Sequence, residues 1–177
     1  SINLTDLNVL EVGSGRGGGA VYLKRYLRPK TVTGVDFSAY AVAFCHRNYA
    51  VDGLSFEVGD AESLPFADNS FDVVVNVESS HCYNSIDAFL GQVKRVLRDG
   101  GYLLFADFRT RELFYTFREQ IKRSGLMLIK ETEITANVLE ALNRDSQRRT
   151  SEANEKIGRY LRLKNEGKLA GIKKAIH

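Results

Sequence analysis

Residues 8–27, NVLEVGSGRGGGAVYLKRYL, join a short apolar run to an amphipathic one through a stretch in which five of seven positions, 13–19, are glycine. A third of the chain's 15 glycines lie there, so the stretch is a local demand and not a compositional bias. Glycine at that density sacrifices side-chain packing and backbone entropy, which a fold tolerates where the chain turns sharply or approaches another group closely. The run before it reads as a buried strand. The run after it places Val21, Leu23, Tyr26 and Leu27 at helical spacing and is stopped by Pro29. A strand, a glycine turn and a helix in succession form the opening unit of a parallel sheet.

The same alternation continues. TVTGVD (31–36), LSFEVGD (54–60), FDVVVNVES (71–79) and YLLFADF (102–108) read as strands, and LMLIKETEIT (126–135) as a sixth. Between them, 38–50, 85–101 and 111–125 read as helices, with Ser38 and Ser85 as N-caps. Two further helices, 136–149 and 152–164, follow. The expected fold is α/β: a doubly wound, Rossmann-like, mostly parallel sheet with helices on both faces. Residues 1–135 form this core, and 136–177 a helical cover segment of the same domain. In such sheets ligands bind beyond the carboxyl ends of the strands, so the residues just after each strand carry the functional information.

At 177 residues the chain suffices for one domain with a sizeable core. No apolar run approaches the roughly 20 residues that span a bilayer, and SINLTDLNVLEVG lacks the layout of a signal peptide. The expectation is a soluble cytoplasmic protein. Cys45 and Cys82 have no metal-ligand spacing and read as reduced thiols, and no metal site is expected. Net charge is +3, but residues 141–177 hold 10 Lys and Arg against 4 Asp and Glu. That segment reads as a solvated helical surface, or as a peripheral contact with a lipid headgroup. An aromatic and basic platform for nucleic-acid bases is absent, so no nucleic-acid partner is expected.

Gly13, Gly15 and Gly18 satisfy G-x-G-x-x-G, and Asp36 ends the second strand where a ribose-binding acid belongs. An NAD-dependent oxidoreductase is one reading. Glu11, at the end of the first strand, suits a ligand with an ammonium group better than a pyrophosphate. Asp60, after the third strand, is placed to accept a hydrogen bond from an exocyclic amine. An amino acid, a ribose and an adenine together describe S-adenosylmethionine.

VLEVGSGRGGG, VTGVDFS, FEVGDAESLPFADNSFDVVVNVES and RVLRDGGYLLFADF resemble, in order, the successive motifs of class I S-adenosylmethionine-dependent methyltransferases, over residues 8–108. The resemblance implies that Glu11, Gly13, Ser14, Gly15 and Gly17 surround the methionine portion. It implies Asp36 on the ribose hydroxyls, Phe37 against the adenine face, and Asp60 with the Ala61 backbone on the adenine amine. Asn76, Val77 and Glu78 would line the floor after strand four.

Methyl transfer to a hydroxyl gains from a base, and histidine suits that work near neutral pH. His81 follows strand four and Asp107 ends strand five, next door in the sheet. A carboxylate on one imidazole nitrogen would fix the tautomer and stabilise the imidazolium. The pair resembles that of small-molecule O-methyltransferases of the sugar and polyketide type. GRGGGAVYL, VESSHCY, FADFR and EITANVLEAL resemble the phthiotriolone/phenolphthiotriolone dimycocerosate methyltransferase type, which acts on a lipid hydroxyl. The expected acceptor is thus a small-molecule or lipid hydroxyl. Family members carry helices before strand one and a seventh, antiparallel strand, neither of which is found in this sequence. A second copy could complete the cover, so a homodimer is expected as one possibility, and a non-catalytic S-adenosylmethionine-binding domain is a third reading of function.

Overall fold

The computed structural model describes residues 2–165, and the last part of the basic C-terminal run lies outside them. The chain divides after Ile129 into two compact units. The first holds β1 (Asn8–Val12), α1 (Gly18–Tyr26), β2 (Thr31–Asp36), α2 (Ala39–Asn48), β3 (Leu54–Val58), β4 (Phe71–Val77), α3 (Ile86–Val96), β5 (Leu97–Ala106) and α4 (Arg111–Arg123). The five strands lie in the order β3-β2-β1-β4-β5, and every pair is parallel. The order reverses between β1 and β4, where Val12 sits opposite Asn76. That switch point is where an open α/β sheet leaves a crevice for a ligand.

Side chains alternate across the strands, so each face of the sheet acquires its own core. Leu10, Val12, Val35 and Val74 pack with Phe89, Leu90, Val93 and Val96 of α3 and with Phe117 of α4. Val9, Val32, Val73 and Val75 face the other way, towards Leu23 of α1 and Val42 and Cys45 of α2. Coverage on both faces explains why FDVVV reads as a continuous apolar run. The expected caps are present: Ser38 Oγ accepts from the Ala41 amide at 3.2 Å and Ser85 Oγ from the Ala88 amide at 3.1 Å. Cys45 is buried, Cys82 is exposed, and both are free thiols.

Three boundaries differ from the sequence reading. Helix α3 ends at Val96 and not near Gly101, because Leu97 pairs with Phe71 and opens β5. Arg98 there donates to Asp72 Oδ1 at 2.7 Å and to the Asn69 carbonyl at 3.1 Å, which draws the chain out of the helix. The sixth strand does not form: residues 126–134 make no ladder. Isolated β-structure leaves its amides and carbonyls unpaired, and among the described residues β5 pairs with β4 alone. Finally, the two C-terminal helices are one, α5 (Thr135–Asn165), 31 residues long.

In the second unit α5 exposes Leu139, Leu142 and Ile157. Its Arg144, Arg148 and Arg149 pair within the helix with Glu140, Asp145 and Glu152 at (i, i+3) and (i, i+4) spacing. No helix among the described residues is long and apolar enough to cross a membrane.

Candidate active site

The glycine stretch leaves the end of β1 as a tight loop tied to the neighbouring strand. The Gly13 and Ser14 amides donate to the Val35 carbonyl at 2.9 and 3.0 Å, and the Gly17 amide closes on the Ser14 carbonyl at 2.8 Å. Three glycines are dictated by close approach: a Cβ on Gly13 would overlap Ser79 Oγ, one on Gly17 would overlap the Phe56 ring and Cys45 Sγ, and one on Gly19 would overlap Glu11 Oε1. Gly18, by contrast, has nothing within 4 Å of a Cβ position. The close packing of helix α1 on β1 thus belongs to Gly19, next to the motif's third glycine.

Three buried polar atoms beside this loop have no hydrogen-bond partner: Glu11 Oε2, Ser14 Oγ and Asn76 Oδ1. They come from the ends of β1 and β4, on either side of the switch point. Glu11 is 6% exposed, and burial raises its carboxyl from the usual 4.5 to about 7; the Ala20 amide opposes this rise and the nearby Asp36 charge adds to it. A cluster of orphaned acceptors with a reluctant carboxylate is what an ammonium donor would satisfy.

Asp36 is half-buried, and both of its oxygens are engaged. Oδ2 accepts from the Gly15 amide at 2.7 Å and Oδ1 from the Ser38 amide at 2.9 Å. Each carboxylate oxygen retains acceptor capacity for a hydroxyl. Phe37, next along, is 81% exposed. Asp60 is exposed after β3 and uses Oδ1 to hold the Glu62 amide at 2.8 Å, while Ala61 is buried beside it. The loops after β3 and β4 are joined by the Asn84 amide, which donates to Glu62 Oε1 at 2.7 Å.

After β4, Asn76 is wholly buried, with Nδ2 at 3.0 Å from the Val12 carbonyl, 2.8 Å from Ser79 Oγ and 2.9 Å from the Tyr83 hydroxyl. Val77 and Glu78 are exposed at the strand's end, and Glu78 turns the chain with φ 48°, which is uncommon for a residue with a side chain. One turn of 3-10 helix, Ser80–Cys82, then carries His81 to the end of β5. His81 Nδ1 lies 2.8 Å from Asp107 Oδ1, with the imidazole 31% exposed and the carboxylate fully covered. The Ser80 hydroxyl donates to Asp107 Oδ2 at 2.5 Å and the His81 amide to the same oxygen at 3.1 Å. Burial alone would push the Asp107 carboxyl up, but the bonds from Ser80, His81 and the Phe108 amide outweigh it and leave it below the usual range. An ionised Asp107 favours the tautomer that carries its proton on Nδ1, which turns the acceptor position of a neutral ring to Nε2.

Sequence reasoning brought His81 and Asp107 together but passed over Ser79, Ser80, Tyr83 and Arg109. The hydroxyl residues stand in VESSHCY, where a run of donors after a buried strand is the available signal. No comparable signal marks Arg109.

A family model described as a methyltransferase domain matches residues 10–105, which hold the glycine loop, Asp36, Asp60, Asn76 and His81. The chain belongs to that family. Membership decides against the oxidoreductase reading of the glycine loop. Among curated relatives, a probable phthiotriol/phenolphthiotriol dimycocerosates methyltransferase 2 of Mycobacterium ulcerans is 43% identical over 159 residues, covering 90% of this chain and 60% of the relative. A fatty-acid O-methyltransferase of Mycolicibacterium smegmatis is 44% identical over 137 residues, covering 77% of this chain and 50% of the relative. The chain thus spans about 60% of the length of the curated relatives it matches. Among solved structures, a S-adenosylmethionine-dependent methyltransferase from Aquifex aeolicus superposes with TM-score 0.65 at 18% identity, covering 75% of this chain and 78% of that one. At that identity the likeness concerns the fold.

Proposed function

We propose that the chain is a S-adenosylmethionine-dependent O-methyltransferase acting on a hydroxyl of a lipid or polyketide-like acceptor, with His81 as general base oriented by Asp107. The observation that carries this reading is the 2.8 Å contact between His81 Nδ1 and a buried, ionised Asp107, which leaves Nε2 free to take a proton. Family membership and the names of the relatives support the cofactor and a lipid-like acceptor.

The residues present fit the cofactor. Glu11 and Ser14 offer unpartnered acceptors for its ammonium, and the Gly13, Gly15 and Gly17 backbone surrounds the methionine portion. Asp36 takes the ribose hydroxyls, the exposed ring of Phe37 stacks on the purine, and Asp60 with Ala61 receives the amine. Asn76, Val77 and Glu78 line the floor. When bound, S-adenosylmethionine supplies a methyl group activated by a positively charged sulfur. The protein's share of the chemistry is alignment and proton removal. His81 Nε2 accepts the hydroxyl proton of the acceptor as its oxygen becomes nucleophilic. Asp107 holds the ring and balances the charge that forms on it.

One of the relatives is named for methylating a fatty acid. A carboxylate acceptor is already ionised and needs no base, so the His81–Asp107 pair favours a hydroxyl. The helical segment beyond the core serves as substrate cover. Its excess of basic residues supports peripheral contact with anionic lipid, and the protein works in the cytoplasm, alone or as a homodimer.

The test is a methyl-transfer assay with labelled S-adenosylmethionine, a long-chain diol and a fatty acid in parallel. Label is expected on the diol oxygen. His81→Ala should lose about 10²–10⁴-fold in turnover, the range of general-base catalysis, with cofactor affinity measured by calorimetry essentially unchanged. Label on the fatty-acid carboxylate alone or on carbon, or undiminished turnover in His81→Ala, overturns the proposal. A chain that binds the cofactor but labels neither acceptor would favour the non-catalytic binding domain.

A further inference from the structure

Arg109 lies two residues beyond Asp107, with its side chain only 9% exposed. Nη2 donates to the Ser80 hydroxyl, which itself donates to Asp107 Oδ2, and Nη2 stands 3.9 Å from that same oxygen. The guanidinium packs 4.8 Å from the Phe117 ring centroid and 5.9 Å from that of Phe105, two rings that stack on each other at 4.6 Å. Its Nε is buried with no partner.

This is a costly arrangement. Covering a guanidinium forfeits hydration, and the return from aromatic faces and a carboxylate at 3.9 Å is modest while one N–H goes unpaired. Packing alone would be better served by a methionine or leucine against Phe105 and Phe117. Asp107 is shared: one oxygen faces the His81 ring and the other faces Ser80 and Arg109.

We infer that Arg109 is a positioning residue that shares the Asp107 carboxylate through Ser80 and so tempers the pull of that carboxylate on the His81 ring. A buried carboxylate on its own strengthens a neighbouring imidazole as a base and fills it with solvent protons before the acceptor arrives. A fixed cation on the far oxygen counters that pull. Asp107 then retains its orienting role without making His81 a resting imidazolium. The other titratable groups around the loop are Glu78, Cys82 and Tyr83 on the His81 segment and Glu62, whose Oε1 holds the Asn84 amide. None of these is a cation.

The inference rests on His81 being the base, and its test reads the imidazole directly. The chain has 3 histidines, so ring-labelled histidine followed by NMR across pH gives resolvable titrations, with the His81 signal identified by its loss in His81→Gln. Arg109→Met, which keeps the packing against the two rings, is expected to raise the His81 pKa by about one unit, within the range for a neighbouring charge. The acid limb of kcat/KM moves up with it. Arg109→Lys keeps the charge and stays close to wild type. An unchanged or lowered His81 pKa in Arg109→Met overturns the inference, as does a lysine variant that shifts like the methionine one. Should Arg109→Met not fold, Ser80→Ala is read in its place: cutting the hydroxyl link raises the His81 pKa, and no rise overturns the inference. If His81→Ala turns over normally, the base reading fails while the NMR titration still decides what Arg109 does.

Discussion

Glu11→Gln tests the heart of the cofactor site. Glu11 is 6% exposed, and burial lifts its carboxyl from 4.5 to about 7. At ~1.4 kcal/mol per pKa unit, keeping that group ionised in the empty protein costs ~3 kcal/mol. The sign follows from proton linkage. Between pH 4.5 and about 7 the folded chain holds a proton that the unfolded chain has released, so stability falls as pH rises and levels off above about 7. Glutamine keeps the shape and does not titrate. A buried amide group with an unpaired N–H gives back ~1 kcal/mol, so the variant is expected to be ~2 kcal/mol more stable than wild type at pH 8. The advantage vanishes near about pH 5, and below it wild type is the more stable by up to ~1 kcal/mol. Urea unfolding at pH 5, 6, 7 and 8 without ligand measures this, provided the m-values agree. The same carboxylate, once it meets the ligand's ammonium, ionises again. Wild type should therefore release a fraction of a proton on binding S-adenosylmethionine at pH 7, seen by calorimetry in buffers of different ionisation enthalpy. Glu11→Gln should release none and bind about tenfold or more weakly, the loss of one charge-assisted contact. Parallel stability curves for the two proteins, or undiminished affinity in the variant, would refute the reasoning.

Other expectations follow from the same geometry. Gly13→Ala should cost ~2–4 kcal/mol, since its φ of 75° and the overlap with Ser79 Oγ act together; Ser79→Gly in the same chain should restore part of the loss in urea unfolding. Phe37→Ala should leave stability within ~0.5 kcal/mol, because the ring is 81% exposed, yet weaken cofactor binding by about fivefold or more, the value of one base–aromatic stack; a variant that binds normally removes Phe37 from the site. Asp107→Asn should lower kcat more than it changes KM in steady-state methyl-transfer assays, because the amide no longer dictates which imidazole nitrogen carries the proton.

The sheet was legible because both of its faces are covered: VLEV and FDVVV are too apolar and too short to be anything but interior strands. Glu11, Asp36, Asp60, His81 and Asp107 could be picked out because a doubly wound fold sends its functional residues to strand ends. What escaped were features that depend on contacts distant in sequence. The early end of α3 comes from Arg98 meeting Asp72, 26 residues away. The stretch 126–134 has strand-like composition, but a strand requires a neighbour to pair with, and composition does not reveal one. The roles of Gly19 and Gly13 appear only when Glu11 and Ser79 are seen against them. Arg109 was passed over, because nothing local announces that its guanidinium will pack against Phe105 and Phe117.

Asp36 Oδ2 holds the Gly15 amide at 2.7 Å, tying the end of β2 to the glycine loop after β1. The two strand ends are thereby braced as one unit, so a substitution at Asp36 should loosen the glycine turn as well as remove whatever the carboxylate itself binds.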